Sequence, residues 1–159
     1  MKVVFLDFDG VINISMWDSN GEKCNFNHPS DGKVNDFQAI CWLNELCKKT
    51  DAKIVLTTSW RNICTFETLT EILYNSGLKR NIEIVGKTPR INFRTSDKRT
   101  FEIYEYLEEH QEIDNFVILD DEKISYCLQK HHVRCNDNYG FKEPEFEKAL
   151  KILNASDTI

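Results

Sequence analysis

Long runs of uncharged apolar residues are missing from the sequence, which therefore holds no segment of the kind that spans a membrane. The residues before Asp7 include too few apolar side chains for a secretion signal, so we expect a cytoplasmic protein with no membrane partner. An excess of positive charge is also missing, since 26 acidic residues outnumber 20 Lys and Arg. The net charge of −6 argues against a surface that binds nucleic acid everywhere, although a local basic site is compatible with it.

Closely paired cysteines are missing as well. Six cysteines are present, but no Cys-x-x-Cys spacing occurs among them. Structural zinc sites usually contain such a pair, so we do not expect zinc at the cluster of potential ligands late in the chain. That cluster comprises Cys127, His131, His132 and Cys135. We interpret the cysteines as reduced thiols, because disulfide frameworks are typical of smaller secreted proteins.

Short apolar runs are present, and they alternate with segments in which apolar residues recur at helical spacing. This alternation predicts an α/β domain with a largely parallel sheet. The predicted strands lie within residues 3–11, 52–59, 82–86, 116–119 and 133–135. The predicted helices cover 35–49, 65–76, 98–110, 122–130 and 143–153, with Asn35 as the cap of the first. The length fits one domain, 1–159, with a loop or hairpin flap at about 12–32.

Polar residues follow three of the predicted strands. Asp7 and Asp9 end the first run, and in extended chain their side chains point to the same side. Thr57–Ser59 follow the second run, and Asp120 and Asp121 follow the fourth. Because the carboxyl ends of parallel strands meet at one edge, we expect a single site there. Carboxylate and hydroxyl oxygens favour a hard cation, Mg²⁺, over zinc.

A local reversal of charge follows the third predicted strand. From residue 87 to residue 99 the only acid is Asp97, whereas five residues are basic. The basic residues are Lys87, Arg90, Arg94, Lys98 and Arg99. Such a segment is either a solvated loop or a phosphate clamp over an active site, and the residues alone leave both interpretations open.

The order of these groups carries a resemblance to a known family. Residues 5–11 (FLDFDGV) resemble motif I of the haloacid dehalogenase (HAD) superfamily, and residues 56–61 (LTTSWR) resemble motif II. Lys98 or Arg99 resembles motif III, and residues 118–121 (ILDD) resemble motif IV. The Ser-Trp-Arg ending, Arg99-x-x-Glu-Ile and the later Gly-Phe are similar to the HAD domain found in multidomain RNA repair proteins. The resemblance implies a three-layer, Rossmann-like fold with five strands, helices on both faces and a minimal cap.

The resemblance also implies unequal roles for the acids. Asp7 would be the nucleophile that forms an aspartyl phosphate, and Asp9 would protonate the leaving oxygen and then activate water. Mg²⁺ would lie between Asp7, the backbone carbonyl of Asp9 and Asp121, and Asp120 would hold its waters.

Hydroxyls and cations would complete the site. Thr58 would hydrogen-bond the transferring phosphoryl group, with Thr57 as the alternative one residue earlier. Lys98 would neutralise charge as the motif III base, with Arg99 and, further upstream, Lys87 as alternatives. The residues expected to bind substrate are Thr57, Ser59, Arg61 and Arg99.

The expected function is Mg²⁺-dependent hydrolysis of a phosphomonoester at an open site, on a small molecule or a nucleic-acid end. Two alternatives remain: a phosphate-binding or phospho-acceptor module without turnover, and a metal-dependent nuclease without a covalent intermediate. Asp9 favours the enzyme, because a pure phospho-acceptor does not need a second acid two residues after the first. The sequence predicts neither the substrate nor the oligomeric state.

Overall fold

The computed structural model describes residues 1–17, 19–24 and 26–155. Its strands are β1 (Lys2–Leu6), β2 (Met16–Trp17), β3 (Lys23–Cys24), β4 (Lys53–Leu56), β5 (Ile84–Lys87), β6 (Asn115–Asp120) and β7 (His132–Arg134). Strands β2 and β3 pair antiparallel as a hairpin between β1 and the first helix. The other five form an all-parallel sheet in the order β5-β4-β1-β6-β7, which confirms the predicted α/β class.

Helices cover both faces of this sheet. They are α1 (Phe37–Thr50), α2 (Phe66–Asn75), α3 (Lys98–Glu109) and α4 (Glu143–Asn154), with short 3-10 helices at Pro29–Asp31, Ser59–Asn62 and Tyr126–His131. Residues of α1, α2 and α4 pack into the larger core on one face, and α3 packs into a smaller core on the other. Within the described ranges, no helix has the length and apolarity needed to cross a bilayer.

Strand β1 is central because it is apolar on both faces. Val4 and Leu6 belong to the larger core, whereas Val3 and Phe5 belong to the smaller one, and all four are fully buried. Side chains alternate across a strand, so only an uninterrupted apolar run can fill two cores at once. Burial of each of these side chains contributes about 1.5–3 kcal/mol to folding.

Helix α1 begins later than predicted because Asp36, not Asn35, caps it. The Asp36 carboxylate accepts a hydrogen bond from the backbone N–H of Ala39 at 3.2 Å. The Asn35 amide instead accepts from the N–H of Ile14 and donates to its carbonyl, both at 2.7 Å. Asn35 therefore fastens the chain after β1 to the start of α1, rather than ending a helix.

The helix predicted at residues 122–130 is wrong, and a 3-10 helix at Tyr126–His131 replaces it. Side chains compete here for the backbone groups that a helix would use. The Asp120 carboxylate accepts from the N–H of Glu122 at 2.9 Å, and the Thr100 hydroxyl accepts from the N–H of Ser125 at 3.0 Å. These bonds turn the chain sharply after β6 and fasten it to α3.

Candidate active site

The site lies at the carboxyl edge of the sheet, beside β1. The backbone N–H of Asp7 donates to the carbonyl of Leu119 at 3.0 Å, and that of Thr57 donates to the carbonyl of Leu6 at 2.9 Å. Three adjacent strands, β4, β1 and β6, therefore end at the same level, and the residues there are Thr57, Asp7 and Asp120, in that order. The chain runs from β1 outward to β4 and β5 on one side and then adds β6 and β7 on the other, so the strand order reverses beside β1, at the switch point where such folds bind ligands.

Three carboxylates converge at this edge. One oxygen from each of Asp7, Asp120 and Asp121 lies within 4.8 Å of those of the other two. Asp7 and Asp120 are buried, and Asp121 is half-buried. Gly10 allows their approach, since its φ is +81° and a Cβ there would lie 2.5 Å from Cγ of Asp121. We call Asp7, Asp120, Asp121 and the adjacent Arg99 the carboxylate centre.

Arg99 is the cation that reaches the carboxylates. Its Nε lies 3.1 Å from Oδ2 of Asp120, and its Nη2 lies 3.6 Å from Oδ1 of Asp7. Lys98 forms no ion pair with these acids in the described part of the chain, and it lines a shallow surface cavity instead. Lys87, the other alternative for motif III, ends β5 as an exposed residue. The contacts thus favour Arg99 over the predicted Lys98 as the cation of the site.

Burial opposes the ionised form of the three acids. It raises the pKa of Asp7 well above its ordinary value, and the charge of Asp120 adds to the effect. Burial likewise raises the pKa of Asp120 to about 6, although Arg99 counteracts the shift, and it raises the pKa of Asp121. Burial alone would lower the pKa of Arg99, but Asp7 and Asp120 raise it, so the guanidinium stays charged. One cation among three acids leaves an excess of negative charge.

Three buried side-chain atoms in the described residues have no hydrogen-bond partner, and all belong to this site. They are Oγ1 of Thr57, Nη1 of Arg99 and Oδ2 of Asp120. The close approach of Arg99 to Oδ2 of Asp120 is an ion pair without hydrogen-bond alignment. Unpartnered buried polar groups are costly, and a native structure explains them by a catalytic role or by a bound water, ion or ligand. A hydroxyl, a guanidinium N–H and a carboxylate oxygen together suit a phosphoryl group and a cation.

The donor set fits Mg²⁺. The three acids offer only oxygen ligands, and hard cations with small radii prefer oxygen. A divalent cation would also offset the excess negative charge that raises the pKa values of these acids. Asp7, Asp120 and Asp121 are therefore the side chains that can hold the metal ion. The Asp9 side chain lies outside this cluster, and a contact of its backbone carbonyl with the metal ion stays a prediction.

The Asp9 carboxylate has its own fixed environment. Its Oδ1 accepts from the Asn13 amide at 2.7 Å, and its Oδ2 accepts from the Trp60 indole N–H at 3.1 Å. Asn13 is fully buried, and its amide also bonds the backbone of Asn27 and Asn35. Trp60 packs edge to face on Phe8. Two neighbouring acids of one motif are thus separated, with Asp7 among charges and Asp9 among neutral donors.

Arg61, which was expected to bind substrate, is used inside the protein instead. It forms a buried ion pair with Glu102 of α3. Its remaining N–H groups donate to the backbone carbonyls of Thr57, Thr58 and Thr88, at 2.6, 2.8 and 3.2 Å respectively. A guanidinium with these partners has few donors left for a ligand. Arg61 instead joins the ends of β4 and β5 to the helix that carries Arg99.

The neighbouring hydroxyls differ in availability. The Thr58 hydroxyl oxygen accepts from the N–H of Trp60 at 3.2 Å and so caps the 3-10 helix. The Thr57 hydroxyl is buried without a partner among the described residues. Ser59 is exposed at the start of the same helix. The Thr58 hydroxyl still has its O–H to donate, so both threonines left open by the sequence remain candidates, and Thr57 is the one whose hydroxyl has no partner among the described residues.

No local pattern indicated the role of Asn13, the residue that orients Asp9. It lies in the segment predicted as a flap, where a single asparagine is ordinary. Trp60 and Glu102 were part of the residues that carried the resemblance, but neither was assigned a contact. Each acts across at least 41 positions, a separation at which no local pattern signals a contact.

Comparison with known families agrees with this geometry. The family model described as the HAD domain in Swiss Army Knife RNA repair proteins matches residues 3–146. No curated protein and no solved structure matches the chain. The match suggests a phosphohydrolase-type function. HAD domains generally use Mg²⁺, and the buried acids could bind such an ion.

Proposed function

Because the chain belongs to the family of HAD domains in Swiss Army Knife RNA repair proteins, we propose that it hydrolyses phosphomonoesters with the help of Mg²⁺. The observation that carries the proposal is the set of three unpartnered buried atoms beside a cluster of three acids. A phosphoryl group offers acceptors to Thr57 and Arg99, and a cation satisfies Asp120. No packing role accounts for this combination of groups.

Asp7 is the proposed nucleophile. A carboxylate oxygen of Asp7 attacks phosphorus, the bond from phosphorus to the leaving oxygen breaks, and an aspartyl phosphate forms. Arg99 neutralises charge on the phosphoryl oxygens through Nη1, and the Thr57 hydroxyl donates to another of them. Bound Mg²⁺ supplies further charge neutralisation at the carboxylates, which otherwise repel the phosphate.

Asp9 is the proposed proton carrier. It gives a proton to the leaving oxygen, and in the second step it takes one from the water that releases phosphate from Asp7. The bonds from Asn13 and Trp60 fix the carboxylate and leave a lone pair free on each oxygen. Its separation from the carboxylate centre supports a role other than that of a metal ligand.

The proposed substrate is a phosphorylated end of RNA. The family description refers to RNA repair proteins, and a basic segment lies next to Arg99 in an acidic chain. An end phosphate is a monoester and carries two negative charges near neutral pH, which suits a metal ion and an arginine.

The test is phosphate release from p-nitrophenyl phosphate with and without Mg²⁺. We expect release that requires Mg²⁺, a loss of about 10³-fold or more in Asp7→Asn, and a loss of about 10²- to 10⁴-fold in Asp9→Asn. Asp51→Asn is the matched control. It changes an exposed acid at the end of α1, where Asn tolerates the φ of 57°, and should keep full activity.

Three results would contradict the proposal. Activity that survives Asp7→Asn would exclude the covalent step, and cleavage of internal phosphodiesters without monoester hydrolysis would indicate a nuclease. Labelling of Asp7 by a phospho-donor with no turnover, unchanged in Asp9→Asn, would indicate a phospho-acceptor.

A further inference from the structure

Two phenylalanine rings are exposed together beside the first turn of α3. Phe93 is 55% exposed and Phe101 is 46% exposed, and neither belongs to the two cores. Their ring centroids lie 5.5 Å apart with an interplanar angle of 73°. Single exposed apolar residues need no explanation, but a packed pair of exposed aromatic rings forms a surface that water solvates poorly.

Cations flank this pair. Lys98 precedes Phe101 by three residues, so both lie on the same side of α3. Arg94 follows Phe93 and is exposed, and with Lys98 it lines a shallow cavity of about 540 Å³. The ion pairs formed among the described residues use other cations, so neither positive charge is neutralised there. We call Phe93, Arg94, Lys98 and Phe101 the aromatic surface.

The aromatic surface adjoins the carboxylate centre. Lys98 is followed at once by Arg99, whose guanidinium contacts Asp7 and Asp120. Both side chains project from the first turn of α3, one toward the buried acids and the other toward the cavity. Because Lys98 and Arg99 share one turn of α3, a strand whose end phosphate reaches Arg99 can continue around that turn to the rings.

We propose that the aromatic surface binds single-stranded RNA immediately next to the end phosphate that enters the site. The position of the end phosphate rests on the proposed function. The binding of the adjoining strand rests on the two rings and the two cations of the aromatic surface. Bases stack on aromatic side chains whatever their identity, while cations follow the backbone. The rings can stack only with bases that are not already paired, so an unpaired end is favoured over a duplex.

Charge favours this occupant over a second copy of the chain. The protein carries a net charge of −6, and the basic segment is a local exception to it. The negative phosphates of a nucleic-acid backbone complement the positive charge of this segment, and binding releases the counterions of the phosphates. A purely apolar partner would leave Arg94 and Lys98 without a role.

The experiment measures binding separately from hydrolysis. Fluorescence anisotropy follows a labelled, single-stranded oligoadenylate RNA of about ten nucleotides, a length that such surfaces cover. The Phe93→Ala/Phe101→Ala variant should weaken binding at least about tenfold, given the loss of stacking for one base. Arg94→Gln should lower the slope of log K against log salt by about 0.7, the value for one phosphate contact on a single strand.

Matched controls lie on the other face of the sheet. Phe37→Ala removes a ring that is 67% exposed on α1, whose buried side packs into the opposite core. Arg80→Gln removes an exposed cation that pairs with Glu71. Both should bind the RNA like the unchanged protein, and their behaviour separates loss of this surface from loss of any ring or any charge.

The outcomes separate this proposal from the proposed function. Hydrolysis of p-nitrophenyl phosphate with no RNA binding would overturn the aromatic surface and leave the phosphatase standing. RNA binding that depends on Phe93 and Phe101 in a protein without phosphatase activity would do the reverse. Equal affinity for a duplex of the same length would overturn the stacking argument. Self-association lost in Phe93→Ala/Phe101→Ala, measured by sedimentation, would assign the rings to a second copy of the chain.

Discussion

The carboxylate centre and the aromatic surface share one turn of α3, yet they are built in opposite ways. In the centre, Asp120 is fully buried and is fixed by the register of β1 and β6. On the surface, Phe93 and Phe101 expose about half of their area and contact each other. A substitution near the carboxylate centre should therefore affect neighbouring residues through the buried hydrogen bonds and ion pairs. A substitution on the aromatic surface should affect only the ligand that binds there.

The two regions also differ in what they need from a ligand. Burial places three acids beside one guanidinium, and the raised pKa values of these acids mean that their ionised forms are electrostatically unfavourable there. The cations of the surface face solvent, where an unpaired charge costs little. A ligand should therefore stabilise the centre strongly and the surface weakly. This comparison gives three predictions, from the largest expected effect to the smallest.

The largest effect is expected when the support of the centre is broken. Arg61→Met leaves the Glu102 carboxylate buried without its partner and removes donors from three backbone carbonyls. Removal of one member of a buried pair costs about 3–5 kcal/mol, so the free energy of unfolding should fall by that amount. Urea denaturation followed by circular dichroism measures it.

Two controls sharpen this result. Arg80→Met breaks an exposed pair at 3.6 Å and should cost about 0–1 kcal/mol. Arg94→Met changes the aromatic surface and should cost no more than that, since the side chain is exposed. If Arg61→Met lowered the free energy of unfolding no more than these two substitutions do, buried bonds would not distinguish the carboxylate centre from the aromatic surface.

The next effect concerns pH and the metal ion. The pKa of Asp120 is raised from 3.8 to about 6, so between these values the folded protein holds a proton that the unfolded chain has released. Stability of the metal-free protein should therefore fall as pH rises from about 4 to about 6, by about 3 kcal/mol from this group. Mg²⁺ should restore stability above pH 6 and do little near pH 4, where protons occupy the acids.

Thermal unfolding with and without Mg²⁺ across this pH range tests the prediction. Asp120→Asn should reduce the slope of the pH dependence, because the substituted residue does not titrate, and the remaining slope comes from Asp7 and Asp121, whose pKa values are also raised. Lys98→Gln, on the aromatic surface, should leave the pH dependence and the Mg²⁺ effect as they are. A metal-free protein whose stability rises between pH 4 and pH 6, equally in Asp120→Asn, would contradict the raised pKa assigned to Asp120.

The sheet and the position of the site follow from the sequence because they depend on local signals. Apolar runs predicted the strands, and the acids that follow them predicted that Asp7, Asp120 and Asp121 lie close together. The parallel sheet brings these three residues to one edge. The choice between Lys98 and Arg99 could not be made, because adjacent residues at a helix start differ only in the direction of their side chains.

Arg61 shows a different limit. The position was correctly expected to lie near the site, but the partner that uses its guanidinium, Glu102, lies 41 residues away on another helix. A buried arginine that holds backbone carbonyls and one that binds phosphate have the same local sequence signal. Only the packing of α3 against the ends of β4 and β5 separates them.

The smallest effect is expected at Asp9, which is half-buried. Trp60→Phe keeps an aromatic ring against Phe8 but removes the indole N–H that donates to Asp9. A hydrogen bond to a charged group contributes about 1.5–3 kcal/mol, so kcat should fall about ten- to a hundredfold while KM stays nearly constant. Steady-state hydrolysis of p-nitrophenyl phosphate at saturating Mg²⁺ measures both constants.

The leaving group makes this test specific to proton transfer. An alkyl phosphate has a poorer leaving oxygen than p-nitrophenyl phosphate and depends more on a well-placed acid, so Trp60→Phe should slow its hydrolysis by a larger factor. Trp42→Phe is the matched control, since that ring packs on Phe146 of α4 in the larger core and should slow neither substrate. Equal factors for the two substrates would mean that Trp60 supports the fold of the site rather than the position of Asp9.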